Sequence, residues 1–237
     1  AFPNLREAYF TTMDELSLNP VQMYGVIVDS FVFHRLTFQA LYNSRIIPLL
    51  PSNIQSGSEG ELTGYGIARM RSALQPEIVS LGMNYAVQCR EELAFTERGA
   101  IHAAYAAQPE LHVFVDNGFD LEAAFEICAS FNTGNAPEIE NQPVHSDIPT
   151  LIFAGSFDPI TPPEWGQLVH SNLANSTYLE FPTMGHAVSG GDEECPQQIA
   201  VGFFIEPTSA PDASCIDAME LRFSGTEPEL PDSAPQL

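Results

Sequence analysis

Residues 149–186, PTLIFAGSFDPITPPEWGQLVHSNLANSTYLEFPTMGH, hold the pattern on which the fold turns. TLIFAG is a short apolar run ending in glycine, which suits a strand buried on both faces. PPEWGQLVHSNL follows as a helix opened by proline, and STYLEFP as a second buried strand. Strand, helix and strand with short connections make a βαβ unit, so this half of the chain is expected to belong to a parallel sheet. In such units function collects at the carboxyl ends of the strands. Asp158 comes just after the first strand and His186 just after the second, so parallel pairing would put both loops on one edge of the sheet. A carboxylate and an imidazole that meet there form the acid and base of a catalytic triad. The carboxylate fixes the imidazole tautomer, and the imidazole takes the proton of a nucleophile.

The inner string GSFDPIT also resembles the nucleotide-binding opening of a nucleotidyltransferase. That chemistry places the motif on the first strand of the chain and follows it directly with a Gly-His pair. Here the motif begins at residue 155 and continues PPEW, so its context disagrees. An Asx-turn aspartate and a surface histidine are each ordinary features alone. Their common position after consecutive strands is what argues for chemistry.

Charge narrows the partners. Thirty-one acidic residues oppose eight basic ones, all eight are Arg, and the net charge is -23. Such a chain repels a phosphate backbone, which argues against nucleic acid as a partner. Without Lys there is neither a Schiff-base lysine nor a phosphate-loop lysine. An apolar share of 44% over 237 residues suffices for a sizeable core, and no run approaches the roughly 18 apolar residues of a membrane helix. The opening AFPNLREAYF has neither the basic nor the apolar region of a signal peptide. No cofactor or metal is expected, since Cys89, Cys128, Cys195 and Cys215 form no CxxC or Cys/His cluster. Four cysteines are compatible with two disulfides in an oxidising compartment or with four buried thiols.

The first 75 residues read as helical. LREAYFTTMDEL places Leu5, Tyr9, Met13 and Leu16 on one stripe, and Asn19-Pro20 predicts the start of a second helix running to about Phe38. LLPSNIQSGSEGE reads as a turn-rich connection, and ELTGYGIARMRSAL resumes helical spacing. Residues 78–89, IVSLGMNYAVQC, are expected as a strand, and 91–107 and 120–131 as helices. The acidic, proline-rich end GTEPELPDSAPQL is expected to be disordered.

IPTLIFAGSFDPITPPEWGQLVHSNLANSTYLEFPTMGHAVSGG, followed by CPQQIAVGFF and PDASC, resembles the C-terminal segment of secreted α/β-hydrolases of the tripeptidyl aminopeptidase and prolyl aminopeptidase group. The likeness covers about 70 contiguous residues, with strand, acid, helix, strand and histidine in order. LGMNYAVQCREE extends it more weakly upstream. The resemblance implies an α/β fold: parallel strands with flanking helices forming the C-terminal part of an α/β-hydrolase, preceded by a mainly helical cap. The expected division is a cap over 1–76, a cap-to-core segment over 77–148, the hydrolase segment over 149–222 and a tail over 223–237. It also implies Asp158 as triad acid, His186 as general base, and disulfides Cys89 to Cys128 and Cys195 to Cys215. Secretion, or a periplasmic location, goes with it.

What the chain lacks is a nucleophile in G-x-S-x-G placed before the acid. Ser58 in SGSEG comes nearest but has no strand leading to it. The expectation is therefore the C-terminal portion of a serine hydrolase, with the serine in an N-terminal part of the same hydrolase and this chain inactive alone. A peptide is the expected substrate, and Glu91 and Glu92, where the family segment also carries an acid, are candidates for holding its free amino terminus. Phe31, Phe33 and Phe38 are candidates for either pocket or core. His34, His102, His112, His145 and His170 show no partner pattern. A same-fold esterase and a catalytically silent binding module are the alternatives.

Overall fold

A computed structural model describes residues 2–23, 25–62, 80–111, 121–190 and 193–224. Helix α1 (Leu5–Leu18) turns Ala8, Thr12, Met13 and Leu16 inward. Three- and four-residue spacing makes that face continuous. It packs against α2 (Ser30–Ala40) and α3 (Leu50–Ser58) around Met13, Val28, Phe33, Leu36 and Ile54. Thr12 is buried but satisfied, its hydroxyl donating to the Ala8 carbonyl at 2.8 Å.

Three expectations for the N-terminal half need correction. Residues following Pro20 form no helix; strands β1 (Val21–Met23) and β2 (Val26–Val28) pair as an antiparallel hairpin. β-Branched Val21, Val26, Ile27 and Val28 favour extended backbone, and Gly25 supplies the positive φ of 84° that the reversal needs. The true cap of α2 is Asp29, whose carboxylate accepts from the Val32 N–H at 2.9 Å. LLPSNIQSGSEGE is also no loose connection, because Leu50–Ser58 is helical. Leu50, Ile54 and Gly57 bury one helical stripe, and Pro51 sits in the first turn, where its missing N–H costs nothing. Finally, the strand expected over 78–89 is helical over its described part, as α4 (Leu81–Val87) continuing into a π-helical turn at Gln88–Glu92. Ser80 caps it, and residues 80–89 hold just one β-branched side chain, Val87.

Helices α5 (Arg98–Ala106) and α6 (Leu121–Phe131) follow. The Cys89–Cys128 disulfide ties the turn after α4 to α6. The helical spacing read over 61–74 lies almost wholly outside the described residues, and the tail from residue 225 does so entirely.

Strand β3 (Thr150–Gly155), helix α7 (Pro163–Asn172) and strand β4 (Ser176–Phe181) form the expected βαβ unit. The strands are parallel, in register from Thr150 opposite Ser176 to Gly155 opposite Phe181. Gly166 lets α7 lie on them, since a Cβ there would stand 2.9 Å from the Tyr178 ring. The strands are half-buried along most of their length, not buried on both faces, because among the described residues the parallel sheet has these two strands alone. The described residues thus show an α/β arrangement. A second core gathers Phe181, Met184, Val188 and Ile199 beneath α8 (Glu194–Ile205). The Cys195–Cys215 disulfide binds α8 to the turn at Ser214–Ala218 beside that core.

The N-terminal helices reach the βαβ unit through residues 41–48. The Leu41 carbonyl packs on Gly185, the Ser44 hydroxyl donates to Glu193 at 3.1 Å, and the Ser224 N–H donates to the Pro48 carbonyl at 2.9 Å.

Candidate active site

The register of β3 and β4 brings the two loops after them together. The Ser156 N–H donates to the Phe181 carbonyl at 3.1 Å and the Phe157 N–H to the Met184 carbonyl at 3.0 Å, so the acid loop is stitched to the histidine loop through backbone. Asp158 then closes an Asx turn. Its Oδ1 accepts from the backbone N–H groups of Ile160 at 2.8 Å and Thr161 at 2.9 Å, and its Oδ2 from the Thr161 hydroxyl at 2.7 Å. His186 Nδ1 lies 3.0 Å from each carboxylate oxygen. The Asp158 side chain is 5% exposed and that of His186 28%. The acid is thus sheltered while the imidazole meets solvent. Ala187, next in sequence, adopts a left-handed φ of 61°, an uncommon state for a residue with a side chain.

Burial alone would raise the Asp158 carboxyl. The Thr161 hydroxyl, the Thr161 and Ile160 N–H groups and the His186 ring outweigh it and hold the group below the usual carboxylate range. An ionised carboxylate only accepts hydrogen bonds, so Nδ1 must carry the proton. Nε2 is left to act on another group. The Tyr42 phenol is pushed up by burial and by the Asp158 charge.

His186 lines a cleft of about 390 Å³ together with Tyr42, Ser44, Arg45 and Glu193. One wall thus comes from the N-terminal half and one from the histidine loop. Among the described residues no group of three His, Cys, Asp or Glu is placed to hold a metal ion.

Other candidates lie elsewhere. Glu91 and Glu92 are exposed on the π-helical turn, which packs with α4 and α6, and neither lines the His186 cleft. Ser58 ends α3, its hydroxyl donating to the Gln55 carbonyl at 2.7 Å, and so does not stand on a strand-to-helix turn. Phe33 is fully buried core, whereas the Phe38 ring backs onto Tyr42. His34 pairs with the Tyr9 hydroxyl, His102 with Glu122, His145 with the Asn172 carbonyl and His170 with the Ser176 hydroxyl. His112 lies outside the described residues. Sequence reasoning missed Thr161 and Tyr42. Thr161 was findable, because Asp-x-x-Thr after a strand is an Asx-turn pattern in which the threonine hydroxyl can close on the carboxylate.

A parallel βαβ unit with a carboxylate-imidazole pair at its carboxyl edge is compatible with an α/β-hydrolase. Residues 115–215 match the family model described as TAP-like protein, which supports a TAP-like α/β-hydrolase C-terminal portion in this segment. The match takes in Asp158, His186 and three of the four half-cystines of the two bridges. No curated protein and no solved structure matches the chain.

Proposed function

We propose that this chain supplies the acid and base of a serine peptidase, acting on peptides near a free amino terminus. The nucleophilic serine would be supplied by a part of the hydrolase outside these 237 residues. The observation that carries the reading is the contact of His186 Nδ1 with both oxygens of Asp158, at the ends of adjacent parallel strands. Nε2 of His186 takes the serine proton as the hydroxyl attacks the scissile carbonyl. Asp158 stays ionised and steadies the imidazolium, and His186 returns the proton to the leaving amine. The turn Tyr42–Arg45, which follows α2, forms one wall of the cleft, as part of a cap over the active site would. Two disulfides support function in a secreted or periplasmic setting, and no described helix is long and apolar enough to cross a membrane.

The test is covalent labelling with a fluorophosphonate. This chain alone is expected to remain unlabelled. Together with a serine-bearing N-terminal part, labelling should fall on that serine, and His186→Ala should abolish it. Labelling of any serine among residues 1–237 would overturn the proposal, as would labelling that survives the loss of His186.

A further inference from the structure

Asp158 fixes His186 at one atom only. A ring held through Nδ1 can still pivot about that contact and swing Nε2 away from its target. The structure places a second ring against it. Tyr42, in the stretch after α2, meets the imidazole in a T-shaped contact with centroids 5.0 Å apart and planes at 67°. Tyr42 is itself braced. Its N–H donates to the Gln39 carbonyl at 3.2 Å, the Phe38 ring stands behind it at 5.9 Å, and the adjoining Leu41 carbonyl abuts Gly185 so closely that a side chain there would overlap it. The backbone on either side of the ring contact is therefore locked, one residue from Tyr42 and one residue from His186.

We propose that Tyr42 is a positioning residue whose ring holds the His186 imidazole against Asp158 and gives Nε2 a single direction into the cleft. The claim rests on His186 being the general base. It means that residues ahead of the βαβ unit complete the geometry of the acid-base pair as well as covering it. Edge-to-face aromatic packing has a preferred angle, which a greasy side chain of similar bulk does not reproduce. The ring, not the hydroxyl, carries the role.

Nitrogen-15 NMR of the imidazoles in this chain, disulfides intact, tests it. The unmodified protein and Tyr42→Phe should both show a slowly exchanging Nδ1–H of His186. Tyr42→Leu should accelerate its exchange at least about tenfold while the Phe181 and Met184 signals keep their positions. Parent-like protection in Tyr42→Leu overturns the proposal, and so does loss of protection in Tyr42→Phe. Should Tyr42→Leu fail to fold, nuclear Overhauser contacts between the Tyr42 ring and His186 Cε1–H in the unmodified protein decide; their absence overturns it. These signals report the Asp158–His186 geometry whether or not a serine is ever labelled, so failure here is distinct from failure of the peptidase reading.

Discussion

Gly155 and Gly185 are packed backbone against backbone. A methyl group on Gly155 would overlap the Gly185 carbonyl oxygen and stand 2.6 Å from that of Met184. The strand that leads to Asp158 and the loop that carries His186 thus share a contact with no room for a Cβ. Gly185 in turn leaves no room beneath Leu41. A stack of three backbone segments, 41–42, 184–186 and 155–158, holds the pair together.

Gly155→Ala and Gly185→Ala should each cost about 1–3 kcal/mol, the range for overpacking, because backbone rather than a mobile side chain must yield. Gly202→Ala serves as the control. It lies inside α8 with nothing within 4 Å of the new methyl, and should stabilise by about 0.5–1 kcal/mol. Urea midpoints at unchanged slope measure all three; a neutral Gly155→Ala would contradict the stack.

Thr161→Val should raise the pH at which Asp158 titrates. Asp158 is depressed below its ordinary value of 3.8, so its stabilising contribution is complete above about pH 4 and is lost as pH falls through the folded value. Removing the hydroxyl takes away one of the bonds that lower it, moving the loss to higher pH, with about 1–2 kcal/mol less stability at neutral pH. Carboxyl carbon-13 titration of Asp158 reads the shift, and an unchanged midpoint would remove Thr161 from the account.

On the proposed serine mechanism, Asp158→Asn should lower kcat by about 10⁴ once the nucleophile is supplied, since the amide can impose the wrong imidazole tautomer. KM for a peptide substrate should change little. Steady-state kinetics separates the two, and a loss confined to KM would place Asp158 in binding instead.

The two disulfides should differ in what they protect. Their sequence separations of 39 and 20 residues correspond to about 4 kcal/mol for Cys89–Cys128 and about 3 kcal/mol for Cys195–Cys215 in the chain-entropy view. Paired Cys→Ser replacements measured by denaturation check those losses. Only the Cys195–Cys215 pair packs beside Phe181 and Met184 under the histidine loop, so only its removal should disturb the His186 Nδ1–H signal.

Stability should also decline as pH falls from about 6.5 to 4 because of His34. Burial pushes its imidazole down to about 4, so in that window the unfolded chain binds a proton that the folded chain does not. The ideal loss is about 3 kcal/mol at about 1.4 kcal/mol per pH unit, reduced to about 1–2 because the ring is only partly buried and solvent screens it. His34→Gln should flatten the denaturation profile across this range; a slope that persists unaltered assigns it to other groups.

Local patterns explain which elements were legible. TLIFAG and STYLEFP, separated by a proline-opened helix, carry their own boundaries: the structure matches the first strand residue for residue, and the helix and the second strand to within one residue at an end. α1 was equally plain from its four-residue stripe. The stretch from Pro20 to Asp29 misled because Asn-Pro is a helix start only where the following residues accept helix, and Val21, Val26, Ile27 and Val28 favour a hairpin. LPSNIQSGS misled in the opposite direction. Its small polar residues are solvent-facing positions of a helix whose apolar stripe is only three residues wide.

Sequence by itself determined that Asp158 and His186 end adjacent parallel strands, because strand, helix and strand are short-range patterns with few ways to connect. What only the tertiary structure decided is everything that meets those two residues from elsewhere. Tyr42 stands 144 positions before His186, Glu193 faces Ser44 across 149, and the candidate acids Glu91 and Glu92 lie apart from the cleft. No periodicity encodes such meetings. They follow from how the helices dock on the βαβ unit, which depends on side-chain packing and on glycines that leave room for backbone.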